Sequence, residues 1–171
     1  SYDYAIIAVG AHNMEMPIPH DNSNIVSSWD VLNGQEVTGD CVVIGGGLVG
    51  AETAEYLANK GHQVTIVEMM DKIAAGESTT VLPLMMKDFA DHNVKQLVNT
   101  KVDHIENNIV YTANDQIKAD TIINALGSKK NIFDDSSITI PHVCVGDCSG
   151  ERTADIASAI RTAYHAANAI D

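Results

Sequence analysis

Residues Cys41 to Glu68 read CVVIGGGLVGAETAEYLANKGHQVTIVE, and this stretch decides the fold. Cys41–Ile44 (CVVI) is a short, continuous apolar run, the pattern of a strand buried on both faces. It enters three glycines, Gly45, Gly46 and Gly47, and then a helical stretch from about Leu48 to Lys60. Gln63–Glu68 (QVTIVE) is the next strand. Strand, glycine turn, helix and strand in so short a span require the two strands to run parallel, because the helix returns the chain to the end where it began.

Outward from this unit, Tyr4–Val9 (YAIIAV) reads as a second doubly buried strand. Residues 17 to 40 carry Asn22, Ser23, Asn24, Gly34 and Gly39, a loop composition, with Ser27 or Ser28 placed to cap a short helix SWDVL. Thr79–His92 is expected to be a helix. Val94–Val98, Val102–Glu106, Ile109–Thr112 and Gln116–Lys118 follow as short strands parted by polar turns, the pattern of a small antiparallel meander. Thr121–Leu126 and Val143–Val145 are further strands, each ending at glycine, and Thr153–Ile170 is an alanine-rich helix.

The glycines form the pattern Gly45-x-Gly47-x-x-Gly50. The first allows the tight turn, the second lets a pyrophosphate approach the backbone, and the third lets helix and strand pack closely. Gly46, Leu48 and Val49 complete the turn and bring backbone amides to a helix N-terminus, where partial positive charge favours an anion. Glu68 ends the following strand eighteen residues after Gly50, where an acid can bind ribose hydroxyls. The expected fold is therefore α/β: a Rossmann-like parallel sheet with helices on both faces plus the small antiparallel β-meander. A 2′-phosphate beside Glu68 would meet a carboxylate whose first basic neighbour along the chain is Lys72. A like-charge pair at ~4 Å costs ~1 kcal/mol in water and ~4 kcal/mol at a surface-like dielectric. NAD(H) is thus expected over NADP(H) by about ten-fold or more. Met69, next to Glu68, can flank adenine or simply pack.

With 23 acidic against 10 basic residues the formal charge is −13, a field that repels nucleic acid and anionic lipid. No apolar stretch reaches the length of a membrane span. Cys41, Cys144 and Cys148 make no even-numbered disulfide framework, so a reducing, cytoplasmic setting is expected. The chain starts SYDYAIIAVGA without an initiator methionine and reads as a piece of a longer protein.

Taken together, these residues resemble the flavoprotein reductases with two dinucleotide-binding domains, in which an NAD(P) domain is inserted into an FAD domain. DYAIIAVGA resembles the FAD-domain strand before the insertion, and DTIINALG the strand that leads back. PHVCVGDC resembles the flavin-side motif, in which Gly146 and Asp147 meet the ribityl chain. GGGLVGAETAEYL looks most like the group of 2-enoate reductase, 2,4-dienoyl-CoA reductase and trimethylamine dehydrogenase.

The resemblance implies an NAD(H)-binding domain over 38–130, with 1–37 and 131–171 as segments of the FAD domain. It implies FAD in the full-length parent, and FMN and an iron–sulfur cluster upstream of this chain. Glu52 would reach the nicotinamide carboxamide and Gly127 would make a second dinucleotide contact, with an ordinary solvated helix face and a plain turn glycine as the alternatives. No protein nucleophile is implied. The expected function is NADH-to-flavin hydride transfer, with a non-catalytic ADP- or NAD-binding module as the rival and a free-standing short-chain dehydrogenase as a distant third. The expected partners are the cofactor, the flavin and barrel portion of the parent, and a second copy pairing through an exposed sheet edge. Two patterns read as decoys. Tyr56-x-x-x-Lys60 sits on the helix after the glycine loop, which puts Lys60 about 20 Å from the cofactor at ~1.5 Å per residue. His142, Cys144 and Cys148 lack a fourth ligand at metal-site spacing.

Overall fold

The computed structural model describes residues 2–150 and 156–170. The elements in chain order are β1 (Ala5–Ile7), β2 (Ala11–Asn13), β3 (Ile25–Ser27), α1 (Ser28–Leu32), β4 (Cys41–Ile44), α2 (Leu48–Asn59), β5 (Val64–Val67), α3 (Leu82–Asp91), β6 (Lys95–Leu97), β7 (Val102–Glu106), β8 (Ile109–Thr112), β9 (Gln116–Lys118), β10 (Thr121–Asn124), β11 (Ser128–Lys130), β12 (His142–Cys144), a 3-10 turn (Gly146–Ser149) and α4 (Ile156–Asn168). They form two compact units, Glu15–Gly127 and Ser1–Met14 with Ser128–Asp171. No helix among the described residues is long and apolar enough to cross a membrane.

The larger unit is built on a five-stranded sheet of order β3-β10-β4-β5-β6, parallel throughout. Alternation along each strand sorts the core. Cys41 and Val43 of β4, Val64 and Ile66 of β5 and Ile123 of β10 meet Val31, Leu57, Met85 and Phe89 from the three helices. Val42, Ile44, Val67 and Ile122 point to the other face and meet Val102, Ile105, Val110 and Ala119 of the meander region. The chain is thus a mixed α/β fold with a Rossmann-like parallel sheet, flanking helices and an antiparallel meander. Ser27 is the N-cap of α1, its hydroxyl accepting from the Asp30 N–H at 3.0 Å. Asn107 and Asn108, both at positive φ, make the β7–β8 turn, the backbone that a two-residue hairpin favours.

Four readings from sequence are corrected. Val94–Val98 supplies β6, which pairs parallel with β5 instead of joining the meander, since α3 carries the chain back across the sheet. The meander is β7-β8-β9 alone. Residues 25–27, read as loop, form the edge strand β3. α3 begins at Leu82, with Pro83 in its first turn, and not at Thr79.

In the smaller unit, β1 pairs parallel with β12, and β2 pairs antiparallel with β11. The fourth correction lies here: β1 is not buried on both faces, because Ile6 is 45% exposed while Ile7 is buried. A two-stranded sheet leaves β1 one partner and one covered face. The helix expected from Thr153 is α4 from Ile156; Thr153, Ala154 and Asp155 lie outside the described residues.

Phe89 is the largest fully buried side chain among the described residues and sits where α3 meets the sheet. Phe89→Ala should therefore cost about 3–5 kcal/mol of stability, measured as a fall in the urea midpoint at unchanged slope.

Candidate functional site

The site grows from the turn between β4 and α2. Gly45 holds φ +100°, and a Cβ there would stand 2.6 Å from the Ala125 carbonyl oxygen, so both backbone shape and space demand glycine. A Cβ on Gly50 would fall inside contact distance of the Gly45 carbonyl oxygen, which is how closely α2 packs on the turn. Gly47 is different: it is exposed, and a Cβ on it would meet nothing within 4 Å. Its surface is open to an approaching ligand.

Gly46 is fixed from both sides. Its N–H donates to Glu68 Oε2 at 2.6 Å, and its carbonyl accepts from the Ala74 N–H at 2.7 Å. Glu68 is 9% exposed, and its other oxygen, Oε1, accepts from the Met70 N–H at 2.7 Å. A carboxylate offers about four acceptor directions, so two backbone bonds leave capacity for hydroxyl donors. The Gly45 N–H donates to Val67 C=O at 2.9 Å and the Ala125 N–H to Ile44 C=O at 2.9 Å, which ties the ends of β5 and β10 to the turn.

α2 begins at Leu48, and its first intrahelical bond is Ala51 N–H to Gly47 C=O at 2.9 Å. The N–H groups before it, at Leu48 and Val49, are the unsatisfied donors of a helix start. No acid stands in this first turn. The arrangement can hold a diphosphate over Gly47 and α2 while Glu68 takes neighbouring hydroxyls.

Beside the turn lies a pocket of about 200 Å³ lined by Gly45, Glu68 and Met69 together with Pro17, Ile18, Leu126 and Lys101. Met69 borders this pocket while remaining largely exposed. Gly127, at φ +108°, is exposed three residues beyond β10. Glu52 is exposed on α2 and forms no hydrogen bond or ion pair among the described residues. Lys101 escaped the sequence reading, which took Lys72 as the first cation near Glu68. The Thr100 N–H donates to the Glu68 carbonyl at 2.9 Å, and this strap brings Lys101 to the pocket wall.

Glu55, one helical turn after Glu52, is half-buried on α2. Its carboxyl is pushed above the usual range by burial first, then by a hydrogen bond to Asp88 and by the charges of Asp88 and Glu52. In the smaller unit, Gly146 and Asp147 line an apolar pocket of about 490 Å³ with Ala8, Gly10, Val145 and Ala159. The Gly146 N–H donates to Thr162 Oγ1 of α4 at 2.8 Å.

The sequence decoys have local partners. Lys60 Nζ stands 4.7 Å from the Tyr56 ring centroid, at the end of α2 opposite the glycine turn. His142 Nε2 bonds Asp135 at 2.9 Å, and that bond raises its pKa, helped by Ile140 C=O. Cys148 donates to the carbonyls of Val145 and Ile7. Burial, with Asp40 and Asp120 nearby, pushes the Cys41 thiol up to about 11, so it stays protonated.

A family model described as pyridine nucleotide-disulphide oxidoreductase matches residues 1–145. A bilirubin reductase of Mediterraneibacter gnavus is 44% identical over 177 residues, covering 98% of this chain and 28% of that protein. A solved 2-naphthoyl-CoA reductase superposes with a TM-score of 0.81 at 28% identity, over 95% of this chain and 26% of that one. The histamine dehydrogenase of Rhizobium sp. 4-9 shares the fold, with a TM-score of 0.84 at 19% identity, over 99% of this chain and 31% of that one. The chain therefore spans between a quarter and a third of these relatives.

Two outcomes follow from the packing. Gly50→Ala must push α2 off the turn, costing about 1–3 kcal/mol of stability, read as a fall in the urea midpoint. The raised pKa of Glu55 means the folded chain binds its proton more tightly than the unfolded chain does. Its contribution is thus fullest below its ordinary value of 4.5 and is lost as pH rises through the raised value. Glu55→Gln should raise Tm at pH 7, with the gain vanishing near pH 4.5 in a pH series of thermal melts.

Proposed function

The chain belongs to the pyridine nucleotide-disulphide oxidoreductase family, and from that premise we propose that it binds NAD(H) for hydride exchange with a flavin. The observation that carries this reading is the pair of bonds at Gly46 and Glu68. The carboxylate occupies the Gly46 amide, Gly47 is open to an approaching ligand, and the Leu48 and Val49 amides are the free donors of a helix start. In this reading those amides bind the pyrophosphate, and Glu68 accepts the ribose hydroxyls on its remaining acceptor directions. The pocket of Pro17, Ile18, Met69 and Leu126 covers the adenine. Glu52 reaches the nicotinamide carboxamide and Gly127 makes the second backbone contact. When bound, the nicotinamide and flavin supply the redox chemistry. The protein residues bind and orient them.

The segment inserted for NAD(H) is residues 38–130 on this reading, and the flanking residues belong to a flavin domain. Gly146 and Asp147 would hold a ribityl chain beside the pocket formed with Ala8, Gly10 and Val145, the Asp147 carboxylate accepting from its hydroxyls. As the chain spans about a quarter of 2-naphthoyl-CoA reductase at 28% identity, we assign it to a 2-enoate reductase-like flavoprotein. FMN and an iron–sulfur cluster would belong, on that assignment, to parts of the parent protein outside residues 1–171.

Calorimetric titration with NADH, NADPH and ADP tests the reading. The expected result is binding of NADH about ten-fold tighter than NADPH, with ADP retaining most of the NADH affinity. Glu68→Ala should collapse the difference between NADH and NADPH to within about two-fold. Absence of binding by all three at millimolar concentration, in this chain and in the full-length parent alike, would overturn the nucleotide site.

A further inference from the structure

We propose that Lys101 is a second determinant of nucleotide choice, a cation that tempers the penalty Glu68 places on a 2′-phosphate. The inference rests on the nucleotide reading of the pocket and deepens it. Four observations support it.

Glu68 and Lys101 line one pocket of about 200 Å³. The segment before Lys101 is strapped to the end of β5 by two backbone bonds, Asn99 N–H to Met70 C=O at 2.8 Å and Thr100 N–H to Glu68 C=O at 2.9 Å. The Lys101 backbone is therefore registered against the very residue whose charge it opposes.

Glu68 is held by the Gly46 and Met70 amides, so its carboxylate cannot swing away from an incoming phosphate. Whatever offsets the repulsion must come from another wall of the pocket. Lys101 is exposed and forms no ion pair among the described residues, which leaves its ammonium uncommitted. Lysine suits this part: a point charge on a flexible four-carbon stem can follow a phosphate without the fixed fork geometry that an arginine would impose. The adenosine end of the ligand is the part concerned. The diphosphate belongs over Gly47 and the start of α2, whereas the pocket shared by Lys101 is walled by Pro17, Ile18, Val102 and Leu126.

The probes that isolate this end are adenosine 5′-monophosphate and adenosine 2′,5′-bisphosphate, which differ only by the 2′-phosphate. The readout is the ratio of their Kd values in wild type, Lys101→Met and Lys101→Glu, measured by calorimetry in low salt. Removing the charge should shift the ratio against the bisphosphate by about five-fold, the size of an exposed ion pair, and reversing it by about twenty-five-fold. Both shifts should shrink in ~1 M salt, where the Debye length falls to about 3 Å. Unchanged ratios in both variants, with Glu68→Ala still moving the ratio, would overturn the role of Lys101 and leave the pocket standing. Wild type binding neither probe would overturn the pocket and this inference together.

Discussion

The rest of the site depends on how closely α2 approaches the turn after β4. At Gly50 there is no room for a methyl group, and at Gly45 neither the backbone nor the Ala125 carbonyl would admit one. That approach is stabilised by the bonds at Gly46, whose amide goes to Glu68 and whose carbonyl is taken by Ala74. Strand register makes these partners available: Ile44 pairs with Val67, so Gly45 and Glu68 leave their strands side by side. A slip of one residue would separate them. It would also turn Val43 and Ile66 away from the helices, and Val42 and Val67 away from the meander. The hydrophobic pattern that fixes the core is thus the same pattern that assembles the site.

This coupling explains what could be read from sequence. Over Cys41–Glu68 every local signal agreed, from the apolar run and the glycine spacing to the acid at the strand end, and the structure places all of them together. Elsewhere the local signal was silent on partners. Lys95–Leu97 is as short as any strand of the meander, and only the crossover by α3 decides that it pairs with β5. Ile25–Ser27 is too short a run to stand out from polar surroundings, yet the edge beside β10 accepts it. The run YAIIAV has the composition of a buried strand, but burial depends on what covers each face, and Ile6 is left exposed. Lys101 stands 33 residues beyond Glu68 in the chain and reaches the pocket only through the straps at Asn99 and Thr100.

Charge shows the same difference between composition and position. A net charge of −13 argues against polyanionic partners, because such partners sample the whole surface field. A single anionic ligand samples far less, since at physiological ionic strength the Debye length is about 8 Å. The first turn of α2 carries no acid, and Glu52 follows it at about 6 Å along the helix axis. Glu68, bonded to the turn itself, has its charge turned toward two amide donors. An acidic chain can therefore present an electropositive helix start without any cluster of basic residues.

The division of amide donors around the turn follows from this. Were Glu68 absent, the Gly46 N–H would be one more donor for an anion, but a buried amide without a partner is costly wherever the anion is not bound. Giving Gly46 to the carboxylate keeps the turn satisfied at all times, and leaves the remaining acceptor directions of the acid open. Gly47 needs no such fixed partner, because it faces solvent. The first glycines of the motif thus perform separate tasks: one fits the turn, one holds the acid, and one stays open.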